Sequence, residues 1–345
     1  MDTISFGTFN LYNLNEPGLP MYRDRDGWSQ AQYYSKVSYT SAALQRLDAD
    51  VWGFQELWHG KALKNAFVCA DLDDDYDLLI PEEQDGQGIV CAAAVRKSLL
   101  FGEPEWIERF PESVRLESQG DDPQAPDIAV SIDAFSRPVL KFQVKPRDDE
   151  QAITVFVCHF KSKAPTQIFR EDWYEANPDD FKDHREALGS AISTIRRTAE
   201  AAALRVYLTQ EMKGTDTPVI VLGDVNDGQH SNTLNILTGQ PNFLLSGLQT
   251  GGSDSDLYSA QALQQYRSLP DVYYTHVFKN VRQSLDHILF SQEFYDNSRR
   301  RRWAFDGLIV DNDHLHHDDP KERGANDHGL VKVSFKYRPV RSAAV

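Results

Sequence analysis

Polar residues at the ends of apolar runs are where this chain could do chemistry. Asn10 follows "FGTF", Gln55 and Glu56 follow "VWGF", and His159 follows "TVFVC". Asp224 and Asn226 come after "VIVLG", Asp286 and His287 open "HILF", and Asp327 and His328 precede "GLVKV". Glu56, Asp224 and Asp327 offer hard carboxylate oxygens, and Asn10 and Asn226 add neutral ones. That mixture suits Mg²⁺ or Mn²⁺, which prefer oxygen ligands and keep several waters. No thiolate cluster and no histidine pair at helical spacing argues for zinc. His159 and His328 are then free to move protons or hold a phosphate oxygen, because an imidazole titrates near working pH. Singly, each residue has an ordinary explanation. Asn10 suits a turn, Asp224 after Gly223 an Asx turn, Glu56 a helix cap and His159 a satisfied core histidine. Their recurrence at six strand ends points instead to one centre, since layered α/β proteins collect functional residues there.

The elements that must position these residues are short. "TISFGTFNL", "DVWGFQEL", "GIVCAAAV", "VLKFQV", "ITVFVCHF", "PVIVLGDV", "LDHILFS" and "GLVKVSF" are rich in Val, Ile and Phe and predict strands. "VIVL" is continuously apolar, as expected of a strand covered on both faces. Two helical patterns stand out. One carries Tyr33, Val37, Thr40, Leu44 and Leu47, and the other carries Leu188, Ile192, Ile195, Ala199 and Leu208. Strands mixed with a few helices predict an α/β or α+β sandwich with sheets inside and helices outside. Without repeats or Gly/Ser linkers, residues 1–345 read as one domain, with surface insertions near 103–133, 164–183 and 241–280.

Bulk composition excludes some classes. The chain of 345 residues is 41% hydrophobic and 26% charged, an ordinary globular balance. Its net charge of −16 gives no overall attraction for nucleic acid or anionic membrane. A polyanionic substrate therefore needs local basic residues or bound cations. Cys69, Cys91 and Cys158 form no disulfide framework. With no leader pattern and no run long enough to span a bilayer, the expectation is a soluble, cytoplasmic protein without stable membrane association.

"FNLYNLN", "WGFQELW", "VCHFKSK", "VLGDVND", "SLDHILFS" and "NDHGLV", in this order, resemble the endonuclease/exonuclease/phosphatase superfamily, nearest to its bacterial nucleases. The resemblance runs from Asn10 to His328. It implies a four-layer α/β/β/α sandwich of two packed, mostly antiparallel sheets, and a divalent cation, Mg²⁺ or Mn²⁺. It also implies roles. Glu56 would be the main metal ligand, helped by Asn10. Asp224, with Asn226 beside it, would orient or deprotonate the attacking water. Asp327 would be a metal ligand or histidine partner, and His328 would contact the scissile phosphate and transfer a proton. Asp286 would pair with His328, and His159 would contact the phosphate or leaving group. Arg137, in "SRPVLKF", would contact phosphate, and Lys161 and Lys163 in "HFKSK" would hold flanking phosphates.

Departures refine the expectation. Val225 replaces the usual Phe of "GDFN", and Asn326 the common Ser before the last "DH". "DGQGIVCAAAV" offers no glutamate to pair with His159, as pancreatic-type enzymes would have. "SLDHILFS" differs from the phosphatase branch and argues against inositol phosphates. The basic run Arg299 to Arg302 fits a strand-backbone contact or a solvated turn, and His314, His316 and His317 fit a loop better than a second metal site. The expected activity is Mg²⁺-dependent phosphodiester hydrolysis, with nucleic acid as substrate and DNA ahead of RNA. The alternative is a phospholipid phosphodiesterase of sphingomyelinase type, whose aromatic hairpin would come from "LQQYRSLPDVYYTHVF", with Tyr266, Tyr273 and Tyr274. For Asp327 and His328 to join Asn10 and Glu56, the first and last motif strands must pair or neighbour each other.

Overall fold

A computed structural model describes residues 1–22, 26–119, 126–241, 251–268, 274–279, 281–316 and 324–340. Tyr273 and His317 lie outside them. In chain order the first half holds β1 (Thr3–Leu14), α1 (Gln30–Leu47), β2 (Val51–His59), α2 (Gly60–Cys69), β3 (Tyr76–Leu79) and β4 (Asp85–Arg96). Then come β5 (Leu100–Arg109), a small ladder of β6 (Glu117–Ser118) and β7 (Ile128–Ala129), β8 (Ala134–Val144) and β9 (Ile153–His159). The second half holds α3 (Asp172–Ala176), α4 (Pro178–Phe181), α5 (Arg185–Met212), β10 (Val219–Asp224), α6 (Asn232–Thr238), β11 (Tyr258–Ser259) and α7 (Ala260–Arg267). It closes with the ladder β12 (His276–Phe278) and β13 (Val281–Gln283), then β14 (Asp286–Phe290), β15 (Trp303–Asp311) and β16 (Leu330–Tyr337).

Two six-stranded sheets form the centre, in the orders β15-β16-β1-β2-β4-β3 and β11-β14-β10-β9-β8-β5. In each sheet one central pair is parallel, β1 with β2 and β9 with β10, and the other pairs are antiparallel. Three apolar clusters cement the layers. Phe6, Val155, Leu222, Ile288 and Val333 lie between the sheets. Leu44, Phe67 and Trp52 join α1 and α2 to the first sheet, and Leu204, Leu208 and Val221 join α5 to the second. The four-layer α/β/β/α sandwich is therefore what the chain adopts. The continuously apolar strand β10 is buried at every residue, as burial of both faces requires.

β1 pairs with β16 and with β2, so the first and last motif strands do lie side by side. Three expectations need correction. The region 103–133 is not all insertion, because residues up to Arg109 belong to β5, the edge strand of the second sheet. Its exposed pattern and Pro104 hid it, and both are normal for an edge strand. Likewise 241–280 contributes β11, α7 and β12 to the fold. On α5 the expected stripe is wrong in its first third, where Leu188, Ile192 and Ile195 are exposed. There the helix turns Gly189 and Ser193 inward instead. A Cβ at Gly189 would sit 2.4 Å from the Thr166 carbonyl oxygen, so close backbone approach, not apolar bulk, selects the buried face.

Candidate active site

The parallel pairs β1–β2 and β9–β10 stop at the same edge of the sandwich, and the strand-end residues meet there. Register aligns Asp224 with His159 on one side and Asp286 on the other. Gly223 allows this spacing, since a Cβ there would lie 2.3 Å from the Cys158 carbonyl oxygen. In the other sheet Asn10 aligns with Gln55, and Glu56 follows. Around these residues the strands become irregular, with register breaks after Asn10 in β1 and after Phe54 in β2. Tyr12, Asn13, Glu56 and Asn226 all have left-handed φ, between 47° and 58°. Such conformations cost on the order of 1 kcal/mol or more each and persist where surrounding structure enforces them.

Asp224 is fully buried and held at both oxygens. Its Oδ1 accepts the Asn226 backbone N–H at 2.8 Å, and its Oδ2 accepts the Asn10 and Asn226 amides, each at 3.1 Å. His159 Nε2 lies 3.6 Å from Asp224 Oδ2 and 3.9 Å from Glu56 Oε1. His328 Nε2 lies 3.9 Å from Asp224 Oδ2, while its Nδ1 bonds Asp286 Oδ2 at 2.8 Å. Asp327 and His328 both reach this centre because they precede β16. An isolated antiparallel bridge to His276 and a 2.6 Å bond from Gly329 N–H to the Thr275 carbonyl hold them at the turn.

These residues line one cleft of about 490 Å³, with Glu56, Asp224, Asn226, His159, Asp327 and His328 at its floor and sides. Arg137 and Lys163 line it too, and Tyr22, Pro165 and Phe278 add apolar wall. Lys163 also pairs with Asp227 at 3.2 Å. Lys161 is not part of this lining, and its Nζ bonds Ser162 Oγ at 3.2 Å. Asn10 lies beneath the floor, with its amide on Asp224 and its oxygen on the Tyr12 N–H at 2.9 Å. That places it to orient Asp224. The pairing of Asp286 with the terminal histidine is present, and His159 Nδ1 has no hydrogen-bond partner, in keeping with the missing glutamate.

Electrostatics separate the two histidines. Burial pushes His159 well below the usual histidine value, and Arg137 and His328 push the same way. Burial also disfavours charge on His328, but Asp286, Asp224 and Asp327 outweigh it and hold the imidazolium. Burial, with Asp286 and Glu56 adding repulsion, raises Asp224 to about 7 against the opposing pull of His328. Burial and Glu56 raise Asp327 as well. The donor set fits a divalent cation. Carboxylates crowd one another, Asp327 Oδ1 is buried without a hydrogen-bond partner, and every ligand candidate from the first sheet is an oxygen.

Two contributors escaped the sequence. Lys36, fully buried on α1, donates to Asn326 Oδ1 at 2.8 Å between the faces of Tyr12 and Trp28. Burial lowers its ammonium to about 7 against the pull of Asp327 and Glu56. Its three-residue step from Tyr33 and four-residue step to Thr40 put it on the buried stripe, which was the available signal. His276 lines the cleft, its ring 4.8 Å from that of His328. His314 donates from Nε2 to the His328 carbonyl at 2.8 Å and so supports the backbone. The run Arg299 to Arg302 lies at the opposite end of the sheets. There Arg300 pairs with Asp216 and Arg302 with Glu150, so it makes no part of this cleft.

The family model described as Endonuclease/Exonuclease/phosphatase family matches residues 7–309. No curated protein sequence matches the chain. Solved structures share the fold at low identity. D. rerio TDP2 complexed with single strand DNA product is 16% identical, with TM-score 0.53, over 97% of this chain and 99% of that one. The human nocturnin catalytic domain with bound sulfate is 15% identical, with TM-score 0.54, over 98% and 97%. A Bacteroides thetaiotaomicron mannosyl-6-phosphatase is 15% identical, with TM-score 0.52, over 97% and 100%.

Proposed function

This chain belongs to the endonuclease/exonuclease/phosphatase family, whose members hydrolyse phosphoester bonds, and from that premise we propose that it is a divalent-metal-dependent phosphodiesterase acting on nucleic acid, DNA before RNA. The observation that carries this reading is the line Asp286–His328–Asp224, closed by a 2.8 Å bond at one end and a 3.9 Å gap at the other, facing neutral His159. His328 Nε2 and neutral His159 both line the cleft, so a phosphoryl oxygen there would meet one charged and one neutral imidazole. Arg137 and Lys163 supply local positive charge in the cleft of an acidic chain, and Tyr22 and Phe278 offer faces for a base. D. rerio TDP2, bound to a single strand DNA product, shares the fold and supports a nucleic-acid substrate.

Glu56 and Asp327, with Asn10, would hold Mg²⁺ or Mn²⁺. The cation, when bound, neutralises charge on the phosphate. Asp224, fixed by three donors, takes the proton of the attacking water. His328, kept charged by Asp286, holds a non-bridging oxygen, and His159 is placed to serve the leaving oxygen. Arg137 and Lys163 orient the substrate strand.

A specific feature favours the second reading, a phospholipid phosphodiesterase. The β12–β13 ladder beside the cleft exposes Phe278 at 62% and Val281 at 55%. Tyr266, expected in such a hairpin, sits on α7 instead. One panel separates the readings: purified protein with Mg²⁺ on supercoiled plasmid, single-stranded DNA, RNA and sphingomyelin vesicles. Cleavage of DNA, its loss in EDTA and at least a hundredfold loss in Glu56→Gln are expected. Turnover of sphingomyelin alone would replace the nuclease reading, and full activity in EDTA would end the metal assignment.

A further inference from the structure

The cleft contains a second donor set unlike the first. His276, Asp327 and His328 place one ligand atom each within 4.8 Å of one another. Two of the three are imidazoles, which suit Zn²⁺ and its relatives and do not suit Mg²⁺. Three further observations point to a ligand. Asp327 Oδ1 is buried with no hydrogen-bond partner among the described residues. Asp286 occupies His328 Nδ1, which leaves Nε2 as the outward atom. A carboxylate behind a metal-ligating imidazole, fixing its orientation and raising its basicity, is the usual support in such sites. The third is scaffolding: the β-bridge between His276 and His328, the bond from Gly329 N–H to Thr275, and the Thr275 N–H bond to the Gln283 carbonyl at 3.0 Å hold both rings on paired backbone. Ligands around zinc at about 2.0–2.1 Å lie roughly 3.4 Å apart, so the side chains must close by up to about 1.4 Å.

We infer that His276, Asp327 and His328 form a binding site for a zinc-class divalent cation, and that its occupancy inhibits the enzyme. The logic is exclusion. His328 cannot present a charged N–H to a phosphate oxygen while its Nε2 is a ligand, and Asp327 cannot serve both sites fully. Mg²⁺, which binds imidazole poorly, leaves the histidines free, so the same cleft tells the two classes of cation apart.

Co²⁺ serves as the optical probe, titrated into the full-length protein and followed by its visible absorption. The expected result is a saturable band that weakens at least tenfold in affinity in His276→Gln. In His276→Cys the binding returns with a new near-ultraviolet sulfur-to-cobalt band, which a protein that had merely lost its local fold would not show. With excess Mg²⁺ and the best phosphodiester substrate, Zn²⁺ should inhibit the wild type, and inhibition of His276→Gln, scaled to its own Mg²⁺ rate, should need at least tenfold more. Identical Co²⁺ spectra and affinities in wild type and His276→Gln would overturn the site, as would a band lost in Asp224→Asn but unmoved in both His276 variants. The spectral arm needs no substrate, so it stands or falls separately from the nuclease reading.

Discussion

Where β10 and β1 begin, charges on the sandwich answer one another in pairs. Arg300 meets Asp216 at 2.6 Å, Arg147 meets Asp2 at 2.7 Å and Lys336 meets Asp306 at 2.7 Å, all with at least one partner well exposed. Where the same β10 ends and β14 begins, Asp224 and Asp286 are buried side by side, with Glu56 and Asp327 across the cleft. There Asp286 Oδ1, Asp327 Oδ1 and His159 Nδ1 have no hydrogen-bond partner among the described residues. One end resolves its electrostatics internally and gains little from it. The other buries several carboxylates together in low dielectric with His328 among them, where a bound cation and a phosphate would have their largest effect. Density of charge alone does not mark a site, since the densest basic run sits at the quiet end.

Substitutions at the two ends should differ by orders of magnitude. Asp224→Asn and His328→Ala should each lower kcat by about 10²–10⁴-fold, the range for removing a proton-handling group. Single-turnover rates on saturating DNA measure this, and a loss under tenfold in both would place the chemistry elsewhere. The pH profile sharpens the contrast. Asp224 acts ionised and its carboxyl is raised to about 7, so activity should climb as pH rises through that region. His328 acts protonated and is held well above the usual histidine value, so activity should fall only at higher pH. Asp286→Asn removes the bonded carboxylate and should move that alkaline limb to lower pH; an unmoved limb would show that His328 does not set it. At the quiet end Arg300→Ala should leave the rate within twofold and cost under about 1 kcal/mol of stability by denaturant titration, as exposed pairs do. A large rate loss there would blur the division between the ends.

Much of this division was legible from residue order, because an apolar run that stops in Asn, Asp or His is a local signal. Pairing of β1 with β16 followed from needing Asn10 and His328 in one place. Lys36 was not legible in the same way. A lone lysine in a helix reads as solvated, and its partner Asn326 is 290 residues away, so only the buried stripe hinted at it. His276 was hidden in an aromatic stretch that suggested a membrane hairpin, and its meaning depends on a backbone bridge to His328. On α5 the larger side chains misled, because Gly189 and Ser193 mark the packed face by permitting approach, not by filling space.

The claim that the catalytic end holds unresolved charge is tested most directly by melting wild type and Asp224→Asn in EDTA at pH 4 and pH 8. A carboxyl raised from 3.8 to about 7 favours the fold while protonated, and that advantage is lost as pH rises through the folded value. The wild type should therefore carry the full cost of a buried carboxylate at pH 8, and Asparagine does not titrate. The expected result is Asp224→Asn melting at least ~2 °C above wild type at pH 8, with little difference at pH 4, and Mg²⁺ narrowing the gap by stabilising the wild type. Asp224→Asn melting below wild type at pH 8 in EDTA would contradict the account, because it would make Asp224 a structural anchor and not a group held in wait for a cation.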